Sequence, residues 1–201
     1  MSEEIDKYKN KKLTGTNYRL LEEWEAMLTR FRNNPEIIVV IRERNGEGLP
    51  IVFEVAYKIR SFCGVMEKDE NGLEKPLFAN RFLMRINIPN GYPSVDGKLD
   101  FRFMKEDIFE NEIPHPWHPN IRYFGDFVGH VCLNNVAYGT FTDLALYVEK
   151  VALYLKYYKY HAVNEPPYPE DDLVAKWVLE QGEPNGWIDE LNKNSEDSPI
   201  R

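Results

Sequence analysis

Four short strand-like segments follow one another between residues 37 and 104, and they restrict this chain to a sheet-based fold. They are Ile37–Arg42, Val52–Ile59, Arg81–Ile88 and Leu99–Met104. The last three alternate in a way that gives each strand one apolar face. Asn45-Gly46 is a hairpin signal after the first segment, and the connections are short enough for antiparallel neighbours. We therefore predict a four-stranded antiparallel meander that is covered on one face.

Helices are predicted before and after the sheet segments. Residues 16–32 carry one apolar stripe, formed by Leu20, Trp24, Met27, Leu28 and Phe31. Residues 142–160 form the strongest helix in the chain and are apolar on more than one side, so this helix should be well buried. Asp171 and Asp172 begin a further helix that runs to about Gln181, with acids suitably placed at its N-terminus. The expected fold class is α+β.

Length and composition fit one domain with short extensions. We predict a basic N-terminal arm at 1–15, a single domain at 16–189 and a loose polar tail at 190–201. A formal charge of −8 disfavours nonspecific binding to nucleic acid. The chain shows neither a membrane-spanning apolar run nor the apolar core of a signal peptide, so a cytoplasmic protein without membrane partners is expected. Its two cysteines, Cys63 and Cys132, are then expected as thiols.

The segment from Glu110 to Gly139 has no clear period and contains three of the four histidines together with Cys132. Long irregular segments inside compact domains are often functional. Within this segment, His118-Pro119-Asn120 precedes Gly129-His130-Val131-Cys132-Leu133. A thiolate can exchange a thioester without a large barrier, and an Asn amide can donate to a tetrahedral oxyanion.

The order of these motifs resembles the ubiquitin-conjugating (E2) family. The resemblance starts with Phe82, Ile88-Pro89, Tyr92-Pro93 and Phe101, continues through HPNI at 118–121 and G-x-V-C-L at 129–133, and ends with PPYPEDDLVAKW. It covers roughly residues 16–181. It implies the E2 fold and its reaction: the E2 cysteine accepts a ubiquitin-like modifier from an E1 activating enzyme and passes it to an amine on a protein target. No cofactor is implied, because ATP is consumed by the E1.

The resemblance also implies roles for individual residues. Cys132 would carry the thioester. Asn120 would steady the oxyanion or only shape the loop, and His118 would shape the loop together with Pro119. Asp171 or Asp172 would orient an incoming Lys. The N-terminal helix and the lysines before it would face the E1.

The chain departs from the family pattern in several places. Asn120 and Cys132 are twelve residues apart where the family usually has eight, which predicts an inserted short hairpin at Tyr123–Val128. The family's Pro-Pro after Tyr-Pro and its Trp after the Cys are absent. Such divergence is similar to that of prokaryotic E2 relatives from bacterial conjugation operons linked to phage defence.

Three other functions are compatible with the same residues. His115, His118, His130 and Cys132 could ligate zinc, although their spacing matches no standard zinc motif. His130 and Cys132 could form a Cys–His hydrolase, with Asp126 as the orienting acid. The third alternative is a catalytically inert E2-like binding module in which Cys132 is a core thiol. Cys63 is expected to be a core or strand-end thiol.

Overall fold

A computed structural model of the protein describes residues 3–13, 15–94, 99–107, 109–133 and 143–196. In chain order its helices and strands are α1 (Glu3–Lys9), α2 (Thr16–Phe31), β1 (Ile37–Arg44), β2 (Pro50–Tyr57), β3 (Ser61–Val65), β4 (Pro76–Ala79), β5 (Phe82–Asn87), β6 (Asp100–Phe103), α3 (Leu144–Leu155), α4 (Asp172–Trp177) and α5 (Trp187–Glu196). A π-helical turn, Val178–Gly182, follows α4.

The main sheet contains four antiparallel strands in the order β1-β2-β5-β6. One line of paired residues crosses all four strands, from Val39 through Val55 and Met84 to Phe103. The helix before the sheet and the helices after it complete the predicted α+β architecture. This is the architecture that the resemblance to the E2 family implies, and the four-stranded meander is confirmed.

A second, two-stranded sheet was not predicted. β3 and β4 pair with each other and leave the main sheet between β2 and β5. Each strand is five residues long or shorter, too short for its pattern to be separated from a loop. Phe62 of β3 is fully buried and anchors this hairpin against Tyr157 and Trp177, with ring centroids 4.9 and 5.5 Å away.

Two apolar clusters hold the elements together. The larger one fills the space between the main sheet, α2 and α3, and includes Trp24, Phe53, Phe101 and Val148. The smaller one joins the β3–β4 hairpin to α4, the π-helical turn and α5. The segment around residues 117–133 lies where the two clusters meet, because Ile121 belongs to the first and Trp117 to the second.

The predicted arm and tail both contain packed helices, which corrects those two expectations. Ile5 of α1 is buried in the main core, and Tyr8 makes an edge-to-face contact with Trp24 at 5.8 Å. Leu191 of α5 is also buried, so the boundary predicted at 189/190 falls inside a helix. A few apolar anchors, spaced too sparsely to give a visible period, hold these short polar helices in place.

α3 is shorter than predicted. It begins at Leu144 after an N-cap, in which the Asp143 side chain accepts from the Leu146 N–H. It ends at Leu155, and Tyr157 soon afterwards has a φ of 57°. A non-glycine residue in this left-handed region cannot continue a right-handed helix, so the chain turns there although the apolar pattern continues. None of the helices in the described part of the chain is both long enough and apolar enough to cross a membrane.

Candidate active site

His118 is fully buried at the start of the HPN loop. Its ring stacks on Tyr154 of α3, with centroids 5.0 Å apart and an angle of 15° between the planes. Nδ1 accepts from the Asn120 N–H at 3.1 Å, so the ring proton is on Nε2, which donates to the Lys159 carbonyl at 3.1 Å. Burial lowers the pKa of His118 to about 3. The imidazole is therefore neutral and fixes the loop.

Asn120 is also buried, with 1% of its surface exposed. Its Oδ1 accepts from the backbone N–H of His161 at 3.0 Å, which ties the HPN loop to the segment after α3. This bond gives Asn120 a place in shaping the loop. The Asn120 Nδ2 group makes no hydrogen bond to any residue that the structure describes. Its predicted action on an oxyanion stays a prediction.

The chain between Asn120 and Cys132, which are twelve residues apart, folds into a hairpin. The Cys132 N–H donates to the Asn120 carbonyl at 2.9 Å, and Ile121 pairs with Val131 as an antiparallel bridge. The Arg122 N–H donates to the His130 carbonyl at 3.0 Å. The extra residues turn back within 123–128, and Asn120 remains directly opposite Cys132 in register.

Gly129 connects this hairpin to the main sheet. Its carbonyl accepts from the Phe103 N–H at 2.8 Å, and the Val131 N–H donates to the Phe101 carbonyl at 3.0 Å. The φ of Gly129 is 86°, and a Cβ built there would lie 2.1 Å from the Phe103 carbonyl oxygen. A side chain is therefore excluded by both conformation and space.

Cys132 is half-buried and is not in a disulfide. α3 places Lys150 and Tyr154 close enough for a Cys132 thiolate to act on the pKa of each. Lys150 Nζ donates to the carbonyl of Leu133, the next residue, at 2.5 Å. Residues 134–142, which continue the chain from here, lie outside the described residues, and so does Tyr138 in the region of the family's Trp.

Asp171 and Asp172 have different surroundings. Asp171 is fully buried; its Oδ1 accepts from Val174 N–H at 3.2 Å as the N-cap of α4, and its Oδ2 accepts from Tyr123 N–H at 2.9 Å. Asp172 is exposed in the first turn of α4. The bonds of Asp171 are those of a structural residue, so Asp172 has the more accessible carboxylate of the two. Orientation of a Lys by either one stays a prediction.

Glu170 is a site residue that the sequence analysis missed. Its Oε1 accepts from His130 Nδ1 at 3.2 Å and lies 3.5 Å from an Arg122 nitrogen. Burial raises the pKa of Glu170, but the hydrogen bond and charge of His130 and the charge of Arg122 outweigh it, so this pKa ends below its usual value. The backbone N–H groups of residues 170 and 171 both donate to Pro119. The acidic run at 170–172 was a usable signal for this residue.

The four potential zinc ligands do not converge. His115 Nδ1 donates to the Pro116 carbonyl at 3.1 Å, the two ring nitrogens of His118 are bonded to backbone groups of Asn120 and Lys159, and His130 faces Glu170. The described part of the chain contains no group of three or more His, Cys, Asp or Glu side chains arranged to hold a metal ion. The hydrolase hypothesis loses its proposed orienter, because the carboxylate on His130 belongs to Glu170 and Asp126 is exposed.

Comparisons with known proteins give similarity at low identity. No protein-family model and no curated protein matches the chain. Among solved structures, a ubiquitin conjugating enzyme E2 of Plasmodium vivax matches with 19% identity and a TM-score of 0.42, covering 69% of this chain and 99% of that one. A ubiquitin conjugating enzyme E2 from Plasmodium falciparum matches with 17% identity and a TM-score of 0.39, covering 69% and 97%. At these identities no family assignment follows.

Proposed function

We propose that this protein is an E2-type conjugating enzyme that carries a ubiquitin-like modifier as a thioester on Cys132. The observation that carries the proposal is the hairpin in which the half-exposed Cys132 is hydrogen-bonded, backbone to backbone, to Asn120 of the HPN loop. A partly exposed thiol beside a fixed loop suits a thioester carrier, because two large protein partners must reach the same sulfur in turn.

The proposed reaction has two steps. The Cys132 thiolate attacks the carbonyl carbon of the E1–modifier thioester, a bond forms from Sγ to that carbon, and the E1 thiolate leaves. An amine of the target then attacks the same carbon, the Cys132 thiolate leaves, and the amine loses a proton to solvent or to a nearby carboxylate. The partners are an E1, a ubiquitin-like modifier and a protein target, and no cofactor takes part.

The surroundings of the thiol suit a thioester that must persist between the two steps. A strong general base beside the sulfur would activate water and hydrolyse the intermediate. His118 is not such a base, because burial holds its pKa near 3 and both of its ring nitrogens are engaged. His130 faces Glu170. We further propose a cytoplasmic protein of the prokaryotic, phage-defence type, a finer assignment that rests on the departures from the family pattern.

A charging assay tests the proposal. The protein is incubated with its matching E1 and modifier and with ATP, and is then separated on reducing and non-reducing gels. A band that gains the mass of the modifier and is lost on reduction is expected for the wild type and for Cys63→Ala, and is expected to be absent for Cys132→Ala. An adduct that persists in Cys132→Ala moves the carrier elsewhere. No adduct in the wild type, with the E1 shown to charge, favours the inert binding module.

A further inference from the structure

Lys150 is a charged side chain that α3 places beside the candidate thiol, and the reaction outlined above does not use it. Its Nζ donates to the Leu133 carbonyl at 2.5 Å, directly after Cys132 in the chain. Nζ also lies 5.7 Å from the centroid of the Tyr154 ring, one helical turn further along α3. Lys150 is only partly buried. The two contacts fix the position of a flexible side chain that is normally free in solvent.

Among the residues that the structure describes, no carboxylate acts on the pKa of Lys150. Burial lowers the pKa of Lys150 and the charge of Lys159 lowers it further, whereas a Cys132 thiolate raises it, so this pKa ends below its usual value. His118 packs on the same helix in its neutral form. The stretch 134–142 reads Asn-Asn-Val-Ala-Tyr-Gly-Thr-Phe-Thr in the sequence, which contains no acidic and no basic residue.

We propose that Lys150 is a positioning residue that stabilises the thiolate of Cys132 and so prepares it for exchange, a role whose purpose rests on the proposed function. The proton of the thiol leaves to solvent, and the fixed ammonium compensates the charge left on sulfur. The same charge acts in both steps of the reaction. It favours the attacking thiolate when the modifier arrives, and it makes Cys132 a better leaving group when the amine attacks.

A purely structural role for Lys150 is the competing explanation, since its hydrogen bond to Leu133 could simply hold the chain in place. Three substitutions separate charge from hydrogen bonding. Lys150→Arg keeps both, Lys150→Gln keeps a donor without charge, and Lys150→Met keeps neither. Lys176→Gln is a matched control, because it removes one exposed positive charge from α4 at a place that only Glu180 contacts as an ion-pair partner among the described residues.

The experiment is the rate of alkylation of Cys132 by iodoacetamide between pH 6 and 10, read on the Cys132 peptide by mass spectrometry. Lys150→Gln and Lys150→Met should move the midpoint of the pH–rate curve of Cys132 to higher pH. They should also slow alkylation near pH 7 by about threefold to tenfold, as expected if the pKa of Cys132 rises by half to one unit. Lys150→Arg and Lys176→Gln should keep the wild-type midpoint. Added salt should reduce the difference in midpoint between the wild type and the uncharged variants, because salt screens the charge of Lys150.

Coincident midpoints for the wild type and Lys150→Gln would overturn the inference. A shift in Lys150→Met that Lys150→Gln lacks would also overturn it, because it would assign the effect to the hydrogen bond. If the Met variant does not fold by circular dichroism, the Gln and Arg variants decide alone. The alkylation needs neither E1 nor modifier. If the Lys150 variants shift the midpoint but the wild type never forms the adduct, the proposed function is disproved and this inference stands.

Discussion

The two sides of the candidate active site differ sharply in burial although they lie opposite each other in one hairpin. On the HPN side, His118 and Asn120 are buried, and their acceptor atoms are bonded to backbone N–H groups. On the thiol side, Cys132 is half-exposed beside the partly buried Lys150. One backbone hydrogen bond of 2.9 Å, from Cys132 N–H to the Asn120 carbonyl, connects the two sides.

This difference indicates how the work is divided within the motif. Buried groups whose acceptor atoms are hydrogen-bonded resist rearrangement, so the HPN side acts as a scaffold. The proposed thioester chemistry needs a thiol that protein partners can reach, and Cys132 on the thiol side is only partly buried. The hairpin transmits the position of the scaffold to the thiol through the backbone. The predictions below disturb this arrangement, beginning with the change expected to have the largest effect.

Gly129→Ala is expected to break the joint between the hairpin and the sheet. The added Cβ would meet the Phe103 carbonyl oxygen at 2.1 Å and would also have to accept a φ of 86°. We expect the free energy of unfolding to fall by about 3 kcal/mol or more, from the combined clash and backbone strain. Urea denaturation followed by tryptophan fluorescence measures it.

Gly125→Ala is the matched control in the same hairpin. Its φ is 78°, but a Cβ there would have no atom within 4 Å. The expected cost is therefore that of the left-handed conformation alone, about 1 kcal/mol. Equal losses for the two variants would contradict the idea that Gly129 holds the hairpin against β6 by close approach.

Asp171→Ala is expected to destabilise the protein where the hairpin contacts the start of α4. The lost carboxylate accepts from Val174 N–H and Tyr123 N–H, and it is fully buried, so two backbone donors would lose their partner. We expect a loss of about 2–3 kcal/mol in the same urea assay. Asp172→Ala, one residue along and exposed, should cost about 0.5 kcal/mol. A larger loss for Asp172 than for Asp171 would be incompatible with these bonds.

Much of the fold was predictable because long helices and strands have apolar residues at regularly repeated positions. The stripe in α2 and the alternation in β2 and β5 each extend over several turns or residue pairs, and their predicted ranges agree with the structure within about three residues. The β3–β4 hairpin and α5 were missed for the opposite reason. They are short or mostly polar, and their place depends on tertiary anchors such as Phe62 and Leu191.

The sequence supplied candidate residues for the site but little of their geometry. The motif indicated Cys132, His118 and Asn120, but a linear spacing does not reveal that residues 120 and 132 are opposite in register. That depends on where the inserted turn closes. The sequence analysis also treated Asp171 and Asp172 as equivalent and overlooked Glu170. Burial separates three neighbouring acids in this structure, and burial at helix starts is decided by the elements that pack there.

The dependence of stability on pH tests whether His118 on the HPN side is buried in its neutral form. Its folded pKa is about 3, below the usual 6.5, so the unfolded chain binds a proton in this window that the folded protein does not. Stability should therefore fall as pH decreases from about 6.5. At pH 5 the contribution of one such histidine is about 2 kcal/mol, at about 1.4 kcal/mol per pH unit.

His118→Gln should accordingly lose about 2 kcal/mol less than the wild type between pH 7.5 and pH 5.0, whatever its stability at neutral pH. Part of the acid sensitivity should remain, because burial also lowers the pKa of His115, to about 4. An unchanged slope in His118→Gln would mean that this imidazole is protonated, and therefore solvated, in the folded protein.

Asn120→Ala tests whether Asn120 has a structural role on the HPN side or a role in the reaction, and its expected effect is the smallest of these predictions. Loss of the bond from His161 N–H to Oδ1 should cost about 1 kcal/mol in urea. The buried side chain reaches toward the segment after α3, so we expect transfer from the charged protein to free lysine to slow by less than about tenfold, measured in a single turnover. A donor to the oxyanion would be worth about 10²–10³ in rate. A drop in the transfer rate of that size, with unchanged stability, would therefore assign Asn120 to the reacting side of the site. The structural role inferred from its burial would then be wrong.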